Sequence, residues 1–564
     1  MRKEFEKKFN AGSLDYIRKL TVIQNSIFGV DIQPIAVEIA RLRCFLSLVI
    51  EEKVYDDEPN RGINPLPNLD FKFIIANTLV TLPHDSDHNK DIQADQMSLF
   101  EREDHISQLK VVREEYFSTN DAESKNELKL AFSEIQKAMF QEALDNRKIA
   151  SARYQALFQW APFNNKPTDW FDPEWMFGVK DGFDIVIGNP PYIDSETMVK
   201  VMPDKRDLYA QKYSCAKGNW DIYVVFIEKG INLVRNKGIV TYIIPNKLVA
   251  APYAQTIRKK MSENRICELR NYSNVKVFES VAVYPFVFLM CKDAPKDSVA
   301  MTMMESLDSV VYTKEISAQK IRQNNNWDKY FCTDLMSLNV LDKMEGNERL
   351  GDVATVKGAA TVSEAYELLE LLENYSNQTD YFGFINTGTI DPYQSLWATE
   401  KTQYIKHSFH KPVLSKEKLR DMYPNRYSEA IANKIIVGGM CKRLECCYDE
   451  GTVLAGKSTS VIYGSKYSLK YVIGLLNSKL MTFFYTAYFG SLSLAGGFYR
   501  IGAPQLQELP IKYAKEYESE LVELVDTVLL VPDDTDALNK IDSLVYKIYG
   551  LTEEEIAVVE ATIK

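Results

Sequence analysis

The sequence has no long apolar run, few histidines and no cysteine pattern that would hold a metal. No apolar stretch reaches the ~18 residues that span a bilayer, and the first residues lack the apolar core of a signal peptide. The chain has 5 histidines and 8 cysteines. The one cysteine cluster, Cys441 with Cys446 and Cys447, lacks metal-ligand spacing and a neighbouring histidine. We therefore expect a cytoplasmic protein that has no membrane segment and needs no metal.

The chain also lacks an excess of positive charge. Its formal net charge of −11 is unusual for a nucleic-acid-binding protein. The average hides a gradient along the chain. Residues 401–480 contain 14 Lys and Arg against 6 Asp and Glu, whereas residues 511–564 contain 5 against 13. A basic segment in an acidic chain is typical of a phosphate-binding surface. It is equally typical of a solvated face, so charge alone leaves both interpretations open.

Strand and helix patterns alternate through the first half of the chain. The predicted strands are 25–32, 71–77, 183–187 and 238–245, and the predicted helices are 34–49 and 222–233. Such alternation predicts a mainly parallel, doubly wound α/β sheet with helices on both faces. Ligands of these sheets bind at the carboxyl ends of the strands. A charged, helix-forming segment at about 91–150 predicts a helical hairpin inserted between strands.

The pattern changes near residue 295, where shorter strands and polar turns replace the regular alternation. A chain of 564 residues is expected to form two or three domains, because single cores stop growing at about 250–300 residues. We predict a first domain at 1–295, a linker at 296–345, a second, mixed α/β domain at 346–515 and acidic C-terminal helices at 516–564.

The most informative stretch is an apolar strand that runs into the turn Asn189-Pro190-Pro191-Tyr192. The Asn189 side-chain oxygen and the Pro190 carbonyl offer two acceptors for the two hydrogens of an amino group. Pro191 stiffens the turn and keeps Pro190 extended, and Tyr192 is placed to stack on a planar ring. This arrangement suits an enzyme that holds an amine or amide nitrogen while the nitrogen attacks a methyl donor. The alternative is an ordinary strand-ending turn.

Polar residues also follow the two earlier strands. An acidic residue at a strand end typically binds the two ribose hydroxyls of a nucleotide-type cofactor, which is the role predicted for Asp31. Ile32 would lie against the adenine ring, and Asn77 would hydrogen-bond its edge. A strand-end Asp is often a helix cap or turn residue instead. The series becomes specific because the Asn-Pro-Pro-Tyr turn follows the third strand.

These residues resemble the motifs of the TaqI-like adenine-N6 DNA methyltransferases, a group that includes the fused type IIG restriction–modification enzymes. The similarity covers nearly the whole chain. It is carried by residues 28–40, 75–79, 183–193, 221–245 and 274–279 in the first domain, and by residues 475–478 and 496–510 in the second.

The resemblance implies a Rossmann-like methyltransferase sheet in the first domain and a target-recognition domain in the second. It implies S-adenosyl-L-methionine as cofactor, held by Asp31, Ile32 and Asn77. The family's glycine-rich first motif and the first strand of its sheet are not found before Asp31. We therefore expect the chain to be the C-terminal part of a longer protein, and a nuclease upstream is compatible with the resemblance.

The resemblance also implies the reaction, which is methyl transfer to N6 of an adenine rotated out of double-stranded DNA. The residues expected around that base are Asn189, Pro190, Pro191, Tyr192 and Phe278. Phosphate contacts from the basic second domain would place the protein on the duplex. No metal is required.

Three alternatives stay open. The same turn serves enzymes that methylate a glutamine amide or RNA, and a chain without the first motif is alternatively a non-catalytic DNA-recognition fragment. Residues 451–458 match the P-loop pattern, but the next residues predict a strand where a phosphate-binding loop needs a helix. We therefore predict no nucleoside triphosphate site there, and expect Lys457 to meet DNA phosphate or solvent. No nuclease centre is assigned.

Overall fold

The computed structural model describes residues 14–563 except 53, 64, 66, 84–91, 146–151, 279–283, 332–334, 376–379, 398 and 493–497. The chain divides into two compact units. Unit 1 comprises Met1–Thr241 and Cys291–Asp293, and unit 2 comprises Tyr242–Met290 and Ala294–Lys564. Among the helices that the structure describes, none combines the length and apolar character that crossing a membrane requires.

Unit 1 alternates strands with helices, as the sequence pattern predicts. Its helices are α1 (Leu14–Ser26), α2 (Pro34–Val49), α3 (Ile92–Ser118), α4 (Ala122–Asp145), α5 (Ala152–Gln159), α6 (Pro173–Phe177), α7 (Ser195–Val201), α8 (Pro203–Lys212) and α9 (Tyr223–Leu233). Its strands are β1 (Gly29–Asp31), β2 (Phe73–Ile75), β3 (Phe183–Gly188) and β4 (Val234–Pro245), and β4 continues into unit 2.

The predicted strand at 25–32 is shorter in the structure, because Asn25 and Ser26 end helix α1. The side-chain amide of Asn25 donates a hydrogen bond to the Thr21 carbonyl, one helical turn earlier, at 3.0 Å. By contrast, helix α2 has the predicted bounds. Pro34 occupies its first turn, where its missing N–H has no partner to lose.

The predicted helical hairpin corresponds to α3 and α4, which pack against each other, while residues 91 and 146–150 lie outside the described residues. Both helices contribute to an aromatic core. This core includes Phe71, Tyr116, Phe132, Trp160, Trp170 and Trp175. The guanidinium of Arg113 donates to the Trp175 carbonyl at 3.0 Å and so ties α3 to α6. The insertion is therefore an integral part of the unit 1 core.

Unit 2 has more and shorter elements. Its helices are α10 (Gln255–Ser262), α11 (Ala318–Gln323), α12 (Leu335–Glu345), α13 (Leu350–Val353), α14 (Val362–Leu371), α15 (Lys416–Met422), α16 (Pro424–Ile431), α17 (Leu469–Leu476), α18 (Lys479–Tyr488), α19 (Ala503–Gln507), α20 (Lys515–Leu530), α21 (Thr535–Tyr549) and α22 (Glu553–Thr562).

Its strands begin with β5 (Arg265–Asn271), β6 (Pro285–Cys291), β7 (Ser298–Met304), β8 (Val310–Ser317), β9 (Glu348–Arg349), β10 (Thr355–Gly358), β11 (Glu373–Asn374) and β12 (Tyr381–Ile385). They continue with β13 (Ile390–Asp391), β14 (Gln394–Ser395), β15 (Thr402–Tyr404), β16 (His407–Phe409), β17 (Pro412–Ser415) and β18 (Asn433–Gly438). The last are β19 (Met440–Cys441), β20 (Cys446–Glu450), β21 (Val453–Ala455), β22 (Thr459–Tyr463), β23 (Tyr499–Arg500) and β24 (Pro510–Ile511).

Unit 2 builds two four-stranded sheets, in the orders β10-β22-β18-β20 and β11-β17-β12-β21. Strand β5 pairs in parallel with β7, and β7 pairs antiparallel with β8. Residues 296–345, predicted as a linker, thus contain two paired strands and the helices α11 and α12. The predicted mixed α/β class and the helical C-terminal end are both confirmed. The division of the chain into four parts stays a prediction.

Candidate active site

Two of the predicted cofactor residues lie at one edge of the β1–β2 pair. The two strands are parallel, with Asp31 opposite Ile75, and the Ala76 N–H donates to the Asp31 carbonyl at 2.9 Å. Asn77 follows directly, so both predicted residues stand at the carboxyl ends of neighbouring strands. The Asp31 carboxylate is exposed, and its Oδ1 accepts the Gln33 N–H at 2.8 Å. This contact holds the carboxylate at the start of α2 and leaves its second oxygen available for a ligand.

Asn77 is held more firmly than the sequence suggests. Its side chain is buried, with Oδ1 accepting the Leu79 N–H at 3.1 Å and Nδ2 donating to the Tyr209 hydroxyl at 3.2 Å. Its own N–H donates to the Thr168 carbonyl at 2.9 Å. One Nδ2 hydrogen is not used by these contacts. The predicted contact of Asn77 with an adenine edge stays a prediction.

Two tyrosines that sequence reasoning missed connect this edge with helix α8. Besides the Asn77–Tyr209 hydrogen bond, the Tyr213 hydroxyl donates to the Leu79 carbonyl at 2.7 Å. Burial raises the pKa of Tyr209, although the hydrogen bond from Asn77 opposes the shift. The two tyrosines are four residues apart and so share one side of the helix end. This four-residue spacing is the feature of the sequence from which a shared role of the two tyrosines could have been predicted.

The Asn189-Pro190-Pro191-Tyr192 turn follows β3 directly, as predicted. Asn189 and Pro191 are exposed, whereas Pro190 is buried and Tyr192 is half-buried. Burial raises the pKa of Tyr192 to about 12, so its hydroxyl stays neutral at physiological pH. The turn therefore presents the Asn189 amide to solvent on a backbone that the two prolines restrict.

The residues after the turn are anchored on both sides. The Ile193 carbonyl accepts the Ile222 N–H at 3.0 Å, which ties the turn to the start of α9. Asp194 caps α7 by accepting the Thr197 N–H at 2.8 Å. Such a cap satisfies one of the free N–H groups at a helix start. The chain on the carboxyl side of Asn189 is thus fixed by backbone and cap contacts.

Phe278, predicted to clasp the base from the other side, belongs to unit 2, whereas Asn189 belongs to unit 1. Phe278 is half-buried in a loop after β5. Glu279, the last residue of its motif, lies outside the described residues. The joint action of Phe278 and Tyr192 on one base stays a prediction.

The apolar side chains around these residues are partly uncovered. Strand β3 exposes Ile185 and Ile187, and the latter is 78% exposed. Helix α2 exposes a stripe at the spacing of one helical face. The stripe consists of Ile35, Ile39, Leu42 and Leu46, and Ile50 follows it. Arg41, on another side of α2, donates to the Phe73 carbonyl at 2.8 Å and so fixes the helix to β2.

The basic segment 401–480 proves to contain two classes of lysine. The first class forms ion pairs, with acidic residues of the C-terminal helices in Lys470–Asp526 at 2.5 Å and Lys479–Glu560 at 2.8 Å. Other members pair elsewhere in unit 2, as in Lys418–Glu373, Lys434–Asp449 and Lys466–Glu348. Others are exposed and make no ion pair with another described residue. These are Lys401, Lys406, Lys411, Lys442 and Lys457. The second class is the part of the segment whose charge is available to a phosphate.

The P-loop-like stretch is a strand connection. Strand β21 ends at Ala455, the loop Gly456-Lys457-Ser458 follows, and β22 begins at Thr459. The predicted strand after Ser458 is therefore confirmed. The loop lacks the helix N-terminus that cradles a phosphate in a P-loop.

Comparison with known families agrees with this arrangement. The model of the Eco57I restriction-modification methylase family matches residues 25–278, which include β1, β2 and the turn after β3. The model of the TaqI-like C-terminal specificity domain matches residues 384–511. The chain is thus similar to the Eco57I methylases in one part and to TaqI-like specificity domains in another.

Individual relatives of this chain are distant. A putative type II restriction enzyme and methyltransferase of Methanocaldococcus jannaschii is 24% identical over 614 residues, which cover 95% of this chain and 49% of that protein. The type II restriction enzyme and methyltransferase Eco57I of Escherichia coli is 31% identical over 112 residues, or 20% of this chain and 11% of that protein. The chain thus spans about half, or less, of these relatives' length.

Among solved structures, the type IIL restriction-modification enzyme MmeI in complex with DNA covers 99% of this chain and 75% of its own chain. Its TM-score is 0.44 and its sequence identity is 11%.

Proposed function

We propose that this chain transfers a methyl group from S-adenosyl-L-methionine to N6 of an adenine within a specific sequence of double-stranded DNA. The observation that carries the proposal is the turn after β3, where an exposed Asn189 follows the strand and a buried Pro190 and half-buried Tyr192 complete the motif. The match of residues 25–278 to the Eco57I restriction-modification methylase model supports the reaction class. DNA and cofactor meet in the cytoplasm, where we expect the protein to act.

The residues at the β1–β2 edge fit the cofactor in part. The exposed Asp31 carboxylate keeps one oxygen outside its contact with Gln33, which suits the paired hydroxyls of a ribose. Ile32 is 44% exposed beside it and offers an apolar surface to the adenine ring. Asn77 contributes less than the sequence suggests, because its amide already contacts Leu79 and Tyr209. When bound, the cofactor supplies an electrophilic methyl group on a sulfonium.

The chain's own residues would orient the amino nitrogen. The Asn189 side-chain oxygen and the Pro190 carbonyl accept its two hydrogens, which favours a pyramidal nitrogen with its lone pair directed away from both acceptors. Tyr192 stacks on the base. Rotating a base out of the duplex costs about a few kcal/mol, and stacking on an aromatic side chain is worth about 1–3 kcal/mol per base. Alignment then supplies much of the rate, as for other well-oriented reactions.

We further propose that residues 1–295 form the catalytic domain and residues 346–515 the target-recognition domain. The match to a TaqI-like specificity domain at 384–511 supports the second assignment. We also propose a nuclease region in the same polypeptide, because both named relatives are called restriction enzyme and methyltransferase and extend well beyond the part that this chain matches.

The test compares the wild-type chain with Asn189→Ala in transfer of a radiolabelled methyl group to duplex DNA. Removing one preorganised polar partner of the reacting group typically costs about 10²–10³-fold in rate. We expect that loss for Asn189→Ala, with S-adenosyl-L-methionine binding by calorimetry little changed. A matched control is Asn232→Ala, since Asn232 is an exposed asparagine of the same unit, on α9.

Parallel reactions contain single-stranded RNA and a glutamine-containing peptide. Transfer to either of these but not to the duplex would refute the proposed substrate. Wild-type activity in Asn189→Ala would refute the proposed site. Duplex binding without transfer to any substrate would favour the recognition fragment over the enzyme.

A further inference from the structure

A two-stranded ribbon stands at the surface of unit 2. Strands β15 and β16 form a sheet of their own, with Gln403 opposite Ser408 and Tyr404 opposite His407. Ile405 and Lys406 form the two-residue turn, and both have positive φ, 44° and 65°. Such φ values define the type I′ turn that matches the twist of a hairpin, but Asn and Gly usually occupy them. A β-branched residue there is strained.

The strained turn is held by the inner side of the ribbon. Thr402 and Tyr404 are buried, and the Tyr404 ring meets Phe384 edge-on with centroids 4.7 Å apart. The Asn386 amide donates to the Gln403 carbonyl at 2.8 Å. Ile405 is half-buried and packs on the same core. Because the surroundings fix the ribbon in this way, its outer side has a defined position, which is where strain typically marks function.

The outer side of the ribbon carries an oriented amide. Gln403 and Ser408 are both exposed, and Gln403 Nε2 donates to Ser408 Oγ at 3.0 Å. This contact leaves the Gln403 side-chain oxygen and one Nε2 hydrogen for a ligand. An acceptor and a donor on one planar amide match the N6 and N7 atoms of adenine in the major groove.

Four exposed lysines lie in the ribbon, next to it in sequence, or in a loop connected to it. Lys406 is in the turn, and Lys401 and Lys411 flank the two strands. Lys457 stands in a loop that the same asparagine connects to the ribbon, since Asn386 Oδ1 accepts the Ser458 N–H at 3.2 Å. All four lysines are exposed and make no ion pair with another described residue. In protein–DNA complexes phosphate contacts position the protein and base-edge contacts specify the sequence, and this region offers groups for both.

We propose that the β15–β16 ribbon enters the major groove of duplex DNA and that Gln403 reads an adenine of the recognition sequence. Lys406 and Lys457 bind phosphates on either side of it. The major groove of B-DNA, about 12 Å wide, admits a two-stranded ribbon. The inference rests on the proposed function, because it takes duplex DNA as the substrate. It adds that Gln403 is the residue that recognises one adenine of the recognition sequence.

The test is a selection of duplexes with a randomised sequence by the purified full chain, followed by sequencing. We expect the wild type to enrich a motif, and Gln403→Ala to enrich the same motif with one A·T position relaxed. Discrimination at that position should fall on the order of 10-fold, the usual value of a bidentate base contact. Ser408→Ala should relax the same position less, because it frees the amide without removing it.

Two further variants separate base reading from phosphate binding. Lys406→Ala and Lys457→Ala should weaken binding to all duplexes alike and lower the salt dependence by about one counterion each. Asn539→Ala and Lys540→Ala are the matched controls, since they remove an exposed amide and an exposed ammonium on α21, in the acidic C-terminal region. They should leave both the motif and the affinity unchanged.

An unchanged motif in Gln403→Ala would overturn the inference, as would a wild-type chain that selects no sequence at all. Neither result decides the proposed function, which depends on methyl transfer. Site-specific methylation by wild type and Gln403→Ala alike would keep the methyltransferase and refute Gln403 as its reader. Site-specific selection that Gln403→Ala relaxes, without any methyl transfer, would keep the reader and refute the enzyme.

Discussion

Two strands of nearly the same composition, one in each unit, meet very different surroundings. Strand β3 reads Asp184-Ile-Val-Ile-Gly188, and β18 reads Lys434-Ile-Ile-Val-Gly438 within its six residues. In β18 the three apolar residues are fully buried, between β20 and β22. In β3, Ile185 and Ile187 are exposed. The second residue of each strand, Asp184 or Lys434, forms an ion pair, but the pair of Lys434 is buried and that of Asp184 is not.

The difference shows that the burial of an apolar strand cannot be predicted from the sequence of that strand alone. Strand β18 lies inside a four-stranded sheet whose faces are covered by unit 2. Strand β3 precedes the most informative motif of the chain, yet its Ile185 and Ile187 side chains are exposed in the described structure. Unit 2 has the more closed core, and the candidate chemistry lies next to the more open one. The predictions below test that contrast.

The largest loss of stability is expected from breaking the buried ion pair, compared with breaking the exposed one. Asp449 is buried and accepts hydrogen bonds from Lys434 Nζ, from the Gly451 N–H and from both donors of Thr452. Asp449→Ala leaves a buried ammonium without its partner and should lower the free energy of unfolding by about 3–5 kcal/mol. Asp184→Ala breaks the exposed pair with Arg235 and should cost at most about 1 kcal/mol. Urea denaturation measures both. Equal losses would contradict the contrast.

A matched pair of isoleucine substitutions tests the apolar positions. Ile436→Thr removes a buried methyl group and buries a hydroxyl, so it should cost about 2–4 kcal/mol. Ile187→Thr changes an exposed side chain and should stay within about 0.5 kcal/mol of wild type. Hydrogen exchange of peptides from each strand assigns the loss to one unit. A large loss at Ile187 would show that β3 is covered in solution.

A buried carboxyl should make the stability of unit 2 depend on pH. Burial raises the pKa of Asp328 to about 6, although the Ser491 N–H donates to its Oδ2 at 2.6 Å and opposes the shift. The protonated form thus stabilises the fold below the unfolded pKa of about 3.9, and this contribution is lost as the pH rises through about 6. A shift of about two units corresponds to about 3 kcal/mol at most.

Asp328→Asn should therefore gain stability relative to wild type between pH 4.5 and 7, by up to about 2 kcal/mol. Urea midpoints across that range measure the gain. A difference that does not change with pH would show that Asp328 ionises in the folded protein as it does in the unfolded chain.

A small effect per substituted residue is expected on α2. The combined variant Ile39→Lys, Leu42→Gln and Leu46→Lys replaces exposed apolar side chains by polar ones of similar length. Its free energy of unfolding should stay within about 1 kcal/mol of wild type, while binding of a hydrophobic dye decreases. Marked destabilisation would show that the stripe is packed in solution.

The local elements around the site could be predicted from the sequence because short-range rules determine them. Pro34 starts α2 where expected, and the Asn-Pro-Pro-Tyr turn ends β3 where expected. The strand before Asp31 is predicted too long, because the chain up to Ser26 belongs to helix α1. Local patterns therefore give the identity of these elements but misplace several boundaries, since β2 covers only Phe73–Ile75 of the predicted 71–77 and β4 begins at Val234 rather than at 238.

The long-range contacts could not be predicted. Asn77 meets Tyr209, which is 132 residues away, and this contact changes how much of its amide a cofactor can use. The exposure of Ile187 depends on neighbours rather than on its own strand. Likewise, the positive φ of Ile405 follows from the core beneath the ribbon, because the residue itself disfavours it.

If this chain acts on DNA as proposed, the ion pairs between the basic segment and the C-terminal helices would shorten the time that it spends bound to non-specific sequences. Lys470 with Asp526 and Lys479 with Glu560 neutralise ammonium groups that would otherwise adhere to any duplex. Each lysine withheld from phosphate removes about one released counterion from non-specific binding. With the proposed function, the protein would leave wrong sequences sooner, and the lysines beside the β15–β16 ribbon would contribute a larger share of its binding to the right one.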